Sequence, residues 1–291
     1  THRYPNEGVI PITPLFDQVG PHARCVEDLQ LFDGVVLGEQ PALDSMLLQG
    51  VRLGVPRQYY FGGLDREVER ITSIALGKLA DAGAVLVEAD VPNLESLIAL
   101  TTAPVQLLDV VPRFSEYLET YGGDITFDDV LAQASDDIKE IFADYVLPGG
   151  EYSLSQEAFD AARDVYVPAL KETMRGYFRD NDIIAMVFPA TMTPAPSIGA
   201  DFVVDVCGES ISLDIAVGRN ISPGSTSGIP GLVLPAGLSC GGLPVSIELD
   251  GPEHSDESLL ALGRAIEAVL GRLPPPDRKG VVSGKSGDPG G

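Results

Sequence analysis

The chain has 291 residues, 44% hydrophobic and 21% charged, with 32 Gly and 23 Pro, which excludes a disordered or fibrous polymer and leaves enough chain to bury a sizeable core. Nineteen basic against forty-three acidic residues give a formal charge of −24, which opposes close approach to nucleic-acid phosphates or an anionic membrane. Cys25, Cys207 and Cys240 are widely spaced and form no C-x-x-C pair, so neither a disulfide framework nor a zinc site is expected and a cytoplasmic location fits. No uninterrupted apolar run approaches the ~18 residues of a membrane span, and the opening THRYPNEG lacks the basic and apolar regions of a signal peptide.

In chain order, the first element is a short helix after the Pro-rich opening. Val26, Leu29, Phe32 and Val36 form one stripe, Glu27 and Asp28 suit its first turn, and Gly38 marks its stop. VRLGVP (51–56) reads as a buried strand. Asp65 then caps a helix with Val68, Ile71, Ala75 and Leu79 on one face, Gly83 ends it, and AVLVEA (84–89) reads as a second strand. Such a strand–helix–strand unit builds parallel sheets.

Residues 93–180 carry no clear strand and several acidic helical stretches; the one from about Ser155 to Phe178 must be kinked or divided by Pro168. Within residues 91–160 fourteen Asp and Glu face only Arg113 and Lys139, as expected of a solvated helical layer or cap spanning 91–180. Strands return at DIIAMVFP (182–189), GLVLP (231–235) and PVSIEL (244–249), each too apolar for an exposed edge. Ser255 is placed to cap a last helix with Leu259, Gly263, Ile266 and Leu270 on its buried face. Residues 274–291, rich in Pro, Gly and Ser, read as a disordered or foreign tail, outside the folded part at 1–273.

Few motifs survive as chemistry. GLSCG (237–241) matches the nucleophile elbow G-x-S-x-G, but Gly241-Gly242-Leu243-Pro244 leads into a strand where the elbow requires a helix, so Ser239 reads as a turn residue. GKS (284–286) lacks the upstream Gly of a phosphate loop, and His2, His22 and His254 show no metal-ligand spacing, so no metal or cofactor is expected. The small-residue loop ISPGSTSGIPGLVLPAG (221–237) permits close backbone approach and reads either as a pocket wall or as a structural tight turn.

Two segments carry a resemblance. At the front, Gly8, Pro11, Asp17, Gly20, Pro21, Ala23, Arg24, Val26 and Asp28, and at the back, Gly228, Pro230, Pro235, Ala236, Gly237, Gly242, Leu243, Pro244, Gly251 and Pro252, match in order the patterns of the amidase signature family. VFPATMTPAPSIG (187–199) is similar to that family's pocket strand and loop. The middle of the chain and the opening THRYP resemble mandelamide and indoleacetamide hydrolases.

The resemblance implies an α/β amidase-signature fold: a mixed, mostly parallel sheet covered by helices, here incomplete on its N-terminal side. It implies a serine amide hydrolase converting a primary carboxamide, such as an aryl-substituted acetamide, to carboxylate and ammonia without cofactor. In the family a neutral Lys takes a proton from a bridging Ser, which relieves the nucleophilic Ser as it attacks, while backbone N–H groups hold the oxyanion. None of the three maps onto this chain; the triad is expected upstream of Thr1, and the chain is expected to be inactive. What it would supply is pocket wall, with Thr191, Thr193, Ser225 and Thr226 as substrate contacts and Asp17 as structural support. Ser225 stands where the family usually has Asn, and Cys25 replaces the usual Ser or Thr helix cap. A small-molecule amide is the expected partner, with neither nucleic acid nor membrane, and a homodimer is an open expectation for the whole protein. The rival readings are a non-catalytic chain and the amidase subunit of a tRNA-dependent amidotransferase.

Overall fold

The computed structural model describes residues 2–41, 44–197 and 202–274. Helix α1 (Val26–Leu37) is followed by β1 (Arg52–Gly54), a single helical turn α2 (Arg57–Tyr60), α3 (Arg66–Asp81) and β2 (Val85–Val87). Strands β1 and β2 are parallel, Leu53 opposite Leu86, so the expected crossover unit forms. Its helix starts as the sequence requires: the Asp65 carboxylate accepts the Glu67 N–H at 2.8 Å. Val68, Ile71, Ala75 and Leu79 are all buried, and Gly83, with φ of +96°, turns the chain where a side chain would be strained.

A helical layer follows: α4 (Leu94–Tyr121), α5 (Phe127–Gln133), α6 (Asp136–Ile141), α7 (Gln156–Ala161) and α8 (Val167–Asp180). The expected division at Pro168 takes the form of a π-helical turn, Ala162–Tyr166, between α7 and α8. Proline has no N–H for the carbonyl one turn back, and the wider turn absorbs the mismatch. Helix α4 is long and apolar enough, by length and composition, to cross a membrane. The helix is still not an uninterrupted apolar run: Thr, Pro and Gln dilute it, and Asp109 falls in every 18-residue window of it. Here α4 packs on α7, α8 and the π-turn between them.

The chain then returns through β3 (Ala185–Pro189), a hairpin of β4 (Val203–Val206) and β5 (Glu209–Ser212), the short helices α9 (Leu213–Gly218) and α10 (Ser222–Ser227), strands β6 (Gly231–Leu238) and β7 (Pro244–Asp250), and α11 (Asp256–Leu270). The main sheet has the order β2-β1-β3-β7-β6, parallel from β2 to β3 and antiparallel through β7 and β6. The reading of GLVLP as too apolar for an edge is corrected: β6 is an edge strand among the described residues, and Val233 on it is 49% exposed. Ser239 lies in the β6–β7 turn, its hydroxyl accepting the Leu243 N–H at 3.1 Å, as read from the sequence.

Alternation along the strands sorts two cores. Leu53, Ala185, Val187, Leu232, Leu234, Ile247 and Leu249 face α3 and α11, while Met186 and Phe188 face Tyr60, Leu170, Met174, Tyr177 and Phe178 on the α4–α8 side. Each such side chain removed from water contributes roughly 1.5–3 kcal/mol before chain entropy is counted. Two further expectations are corrected. In α1 the buried positions are Val26, Gln30, Asp33 and Gly34, and Phe32 is 42% exposed. The bidentate pair from Arg3 to Asp33 at 2.6 Å, joined by the Tyr4 hydroxyl at 2.8 Å, fixes that rotation. Ser255 stands at the N-cap position of α11 but makes no capping bond, and its hydroxyl is buried without a partner. The Pro/Gly-rich tail read at 274–291 lies, apart from Pro274, outside the described residues.

Candidate functional site

The end of β3 is fixed by Asn220, which is 1% exposed and donates its amide to the Pro189 carbonyl at 2.6 Å and the Tyr60 carbonyl at 3.0 Å. Its neighbour Arg219 donates to the Gly62 carbonyl at 2.8 Å, the Tyr60 carbonyl at 3.3 Å and Asn220 Oδ1 at 3.0 Å, with its guanidinium 5.8 Å from the Tyr59 ring. Burial weakens the hold of Arg219 on its proton, and the facing Tyr59 and Glu95 partly restore it. This clamp joins β3, α2 and the approach to α10. Sequence reading passed over it, because an Arg-Asn pair carries no periodic signal.

Beyond β3, the Thr191 hydroxyl donates to the Thr193 carbonyl at 2.7 Å, closing a local turn. Thr193, Pro194 and Pro196 then line one side of an open depression of about 430 Å³, with Val203 and Asp205 of β4 on the other. The β4–β5 hairpin was not anticipated. Its signal was present in VVDVCGESIS: alternating residues around a two-residue turn, Cys207-Gly208, with both φ positive at +54° and +89°. A second cavity of about 280 Å³ lies beyond the carboxyl ends of β1 and β2, lined by Gln58, Tyr59, Asp90, Asn93 and Glu95 among others.

Helix α10 packs on α4 and α8, and its Gly224 lies against Asp250 of β7. Ser225 is exposed on it. Thr226 is 1% exposed, and its hydroxyl is bonded to that of Thr102 on α4 at 2.7 Å. The structure thus does not gather the four candidate contacts into one cluster. No hydrogen bond joins the Thr191–Thr193 turn to the Ser225–Thr226 pair among the described residues, and neither cavity is lined by Ser225 or Thr226. Two of the four hydroxyls, those of Thr191 and Thr226, are already engaged.

Asp17 is half-buried. Its Oδ2 accepts the N–H groups of Ile12 and Thr13 at 2.8 and 3.0 Å. Burial raises its pKa, opposed by those two bonds. Thr13 in turn donates its hydroxyl to the buried Asp109 at 2.7 Å, and Arg113 donates to the other Asp109 oxygen at 3.0 Å. Through Thr13 and Asp109 the opening segment is fastened to α4. Asp17 holds a backbone turn, which is structural work.

Beneath α10 lie two carboxylates that sequence reading absorbed into the strand PVSIEL and its end. Glu248 and Asp250 of β7 are 7% and 1% exposed and project to the α4–α8 side of the sheet. Glu248 Oε2 and both oxygens of Asp250 have no hydrogen-bond partner, nor has the fully buried Tyr60 hydroxyl nearby.

Residues 1–260 match the family described as Amidase. The chain belongs to the amidase family. It is 34% identical over 269 residues to the indoleacetamide hydrolase of Agrobacterium vitis, covering 92% of this chain and 57% of that protein. Identity to the mandelamide hydrolase of Pseudomonas putida is 34% over 289 residues, covering 97% and 55%. A solved amidase structure superposes with a TM-score of 0.75 at 24% identity over 93% of this chain and 57% of its own, a likeness of fold. The expected amidase-signature fold, a mixed sheet covered by helices, is therefore present, and the chain spans little more than half the length of the relatives it matches.

Proposed function

We propose that this chain is the C-terminal part of a serine amide hydrolase that converts a primary carboxamide, an aryl-substituted acetamide, to carboxylate and ammonia, with the Ser–Ser–Lys triad supplied by residues outside it. The observation that carries this reading is the pairing of 34% identity to two arylacetamide-type hydrolases with coverage of only 57% and 55% of their length. Within the described residues no Ser hydroxyl is hydrogen-bonded to a Lys, the contact through which such a triad moves its proton.

In this reading residues 1–273 form part of one amidase domain, with 91–180 as its acidic helical cap. Ser225 is the strongest of the four pocket candidates, because its hydroxyl is exposed and uncommitted, and Thr193 follows from its place on the larger depression. Thr191 and Thr226 would act through the turns they hold, and Asp17 through the opening segment. The protein would work in the cytoplasm without a cofactor.

The test is ammonia release from phenylacetamide. The chain as given is expected to release none, while a longer polypeptide carrying a Gly- and Ser-rich loop and a preceding Lys is expected to turn over. Release by the chain alone would refute the missing triad. A longer polypeptide inactive on arylacetamides but active on another amide would keep the hydrolase and remove the substrate class.

A further inference from the structure

Strand β7 places Glu248 and Asp250 two residues apart on one face of the sheet, with Gly231 of β6 directly opposite Asp250. A methyl group added at Gly231 would lie 2.9 Å from Asp250 Oδ1 and 3.1 Å from Glu248 Oε1, so the two carboxyl groups reach toward the same spot. One added at Gly224 of α10 would lie 2.5 Å from Asp250 Oδ2. The backbone of α10 therefore rests directly on the pair.

What surrounds the pair is unusual for two acids. Met186 and Phe188 of β3 stand opposite Asp250 and Glu248, and Tyr60 of α2 packs on Phe188 with ring centroids 4.1 Å apart. The face of α10 above contributes Gly224, and β6 contributes Gly231. Among the described residues no Lys, Arg or His makes an ion pair with either acid, and three of the four carboxyl oxygens are buried without a hydrogen-bond partner, as is the Tyr60 hydroxyl near them. Arg219, on the approach to α10, is committed to backbone carbonyls. Two adjacent unpaired carboxylates cannot both remain charged in such a place, and a carboxyl that keeps its proton supplies the missing donor.

We propose that Glu248 and Asp250 share a proton at neutral pH and that this protonated pair is the seat of α10, making the position of the Ser225–Thr226 turn dependent on pH. Losing the last proton sets two like charges against each other beneath a helix that touches one of them. The turn is then displaced toward the exposed edge at β6. This inference stands apart from the amide-hydrolase reading, since it concerns protons and the seating of α10 and would hold for a chain with no catalysis.

Burial raises both acids, Glu248 to about 8, and the charge of Glu248 adds to the rise of Asp250. The sign follows. Between the ordinary carboxyl value of 4.5 and about 8 the folded chain keeps protons that the unfolded chain releases, so the pair's contribution is full at low pH and lost as pH rises through that window.

The direct experiment is difference infrared spectroscopy of the purified protein at pH 7, looking for the carbonyl band of a protonated carboxyl. The band is expected in the wild type, shifted by deuterium exchange, and absent from the double variant Glu248→Gln/Asp250→Asn. Thermal melts supply a second reading: raising pH from 5 to 9 should lower the wild-type Tm by roughly 5 °C more than that of the double variant. No protonated-carboxyl band at pH 7 would overturn the proposal whatever the variants do. So would a wild-type Tm that rises with added sodium or potassium in place of the band, which would mean an ionised pair around a bound cation.

Discussion

The two faces of the sheet are built to different rules. On the face against α3 and α11, alternating strand residues point inward: Leu53, Ala185, Val187, Leu232, Leu234, Ile247 and Leu249 meet Leu76, Leu79, Leu262 and Ile266. The face against α4 and α8 starts the same way with Met186 and Phe188, then admits Glu248, Asp250, Tyr60 and Asn220. The first face is built from apolar side chains. The second carries every buried polar group that has a functional reading, which is where a fold keeps groups it could stabilise itself better without.

That contrast is broken most forcefully from the apolar side. Leu249→Ala removes a fully buried side chain packed between α3 and α11, and should cost about 3 kcal/mol with little dependence on pH. Urea unfolding at pH 5 and pH 9 checks both halves of the statement. On the polar face, Asn220→Ala leaves the Pro189 and Tyr60 carbonyls without their amide donor, and should cost about 2 kcal/mol. Asn220→Asp should cost at least as much, because it returns the volume but not the donor. Equal stability of Asp and Asn at 220 would show that packing, and not the clamp, holds the end of β3.

A smaller and more diagnostic effect is expected at Gly224. A methyl there meets Asp250 Oδ2 at 2.5 Å, so Gly224→Ala should cost about 1.5 kcal/mol by lifting α10. Combined with Asp250→Ala the cost should largely vanish, a coupling that a double-mutant cycle reads directly. Additive costs would separate α10 from the carboxyl pair and make the two faces more alike than the geometry indicates.

The legibility of the sequence follows the same division. The β1–α3–β2 unit was readable because its signals are local and periodic: an Asp cap, four apolar residues on one face, a Gly stop. The strand PVSIEL was readable too, but its burial was taken from its neighbours, and nothing in a pattern of apolar residues says that Glu248 and Asp250 go in with them. Asn220 is silent for a related reason. Its partners are backbone carbonyls 31 and 160 residues away in the chain, and a tertiary hydrogen bond leaves no trace in spacing. The inward stripe of α1 was misread because the Arg3–Asp33 pair turned the helix away from its most apolar face. The β4–β5 hairpin differs again, since its turn signal, Cys207-Gly208, is local.

The smallest expected effect is also the only gain, and it tests whether the apolar side of the molecule is as fully optimised as its packing suggests. At the start of α1, Cys25 has the extended backbone of an N-cap, φ −154° and ψ 158°, yet its side chain accepts nothing. A thiol is a poor acceptor. One of the free N–H groups there, that of Val26, is met instead by Glu267 of α11 at 3.2 Å. Cys25→Ser places a competent oxygen where the backbone is already set, and should raise stability by about 0.5–1 kcal/mol without touching the polar face. Because the gain comes from a backbone hydrogen bond, it should be equal at pH 5 and pH 9. A gain that varied with pH would mean that the altered cap disturbs Glu267 and its bond to Arg272 at 3.1 Å, tying the supposedly inert side of the sheet to titration after all.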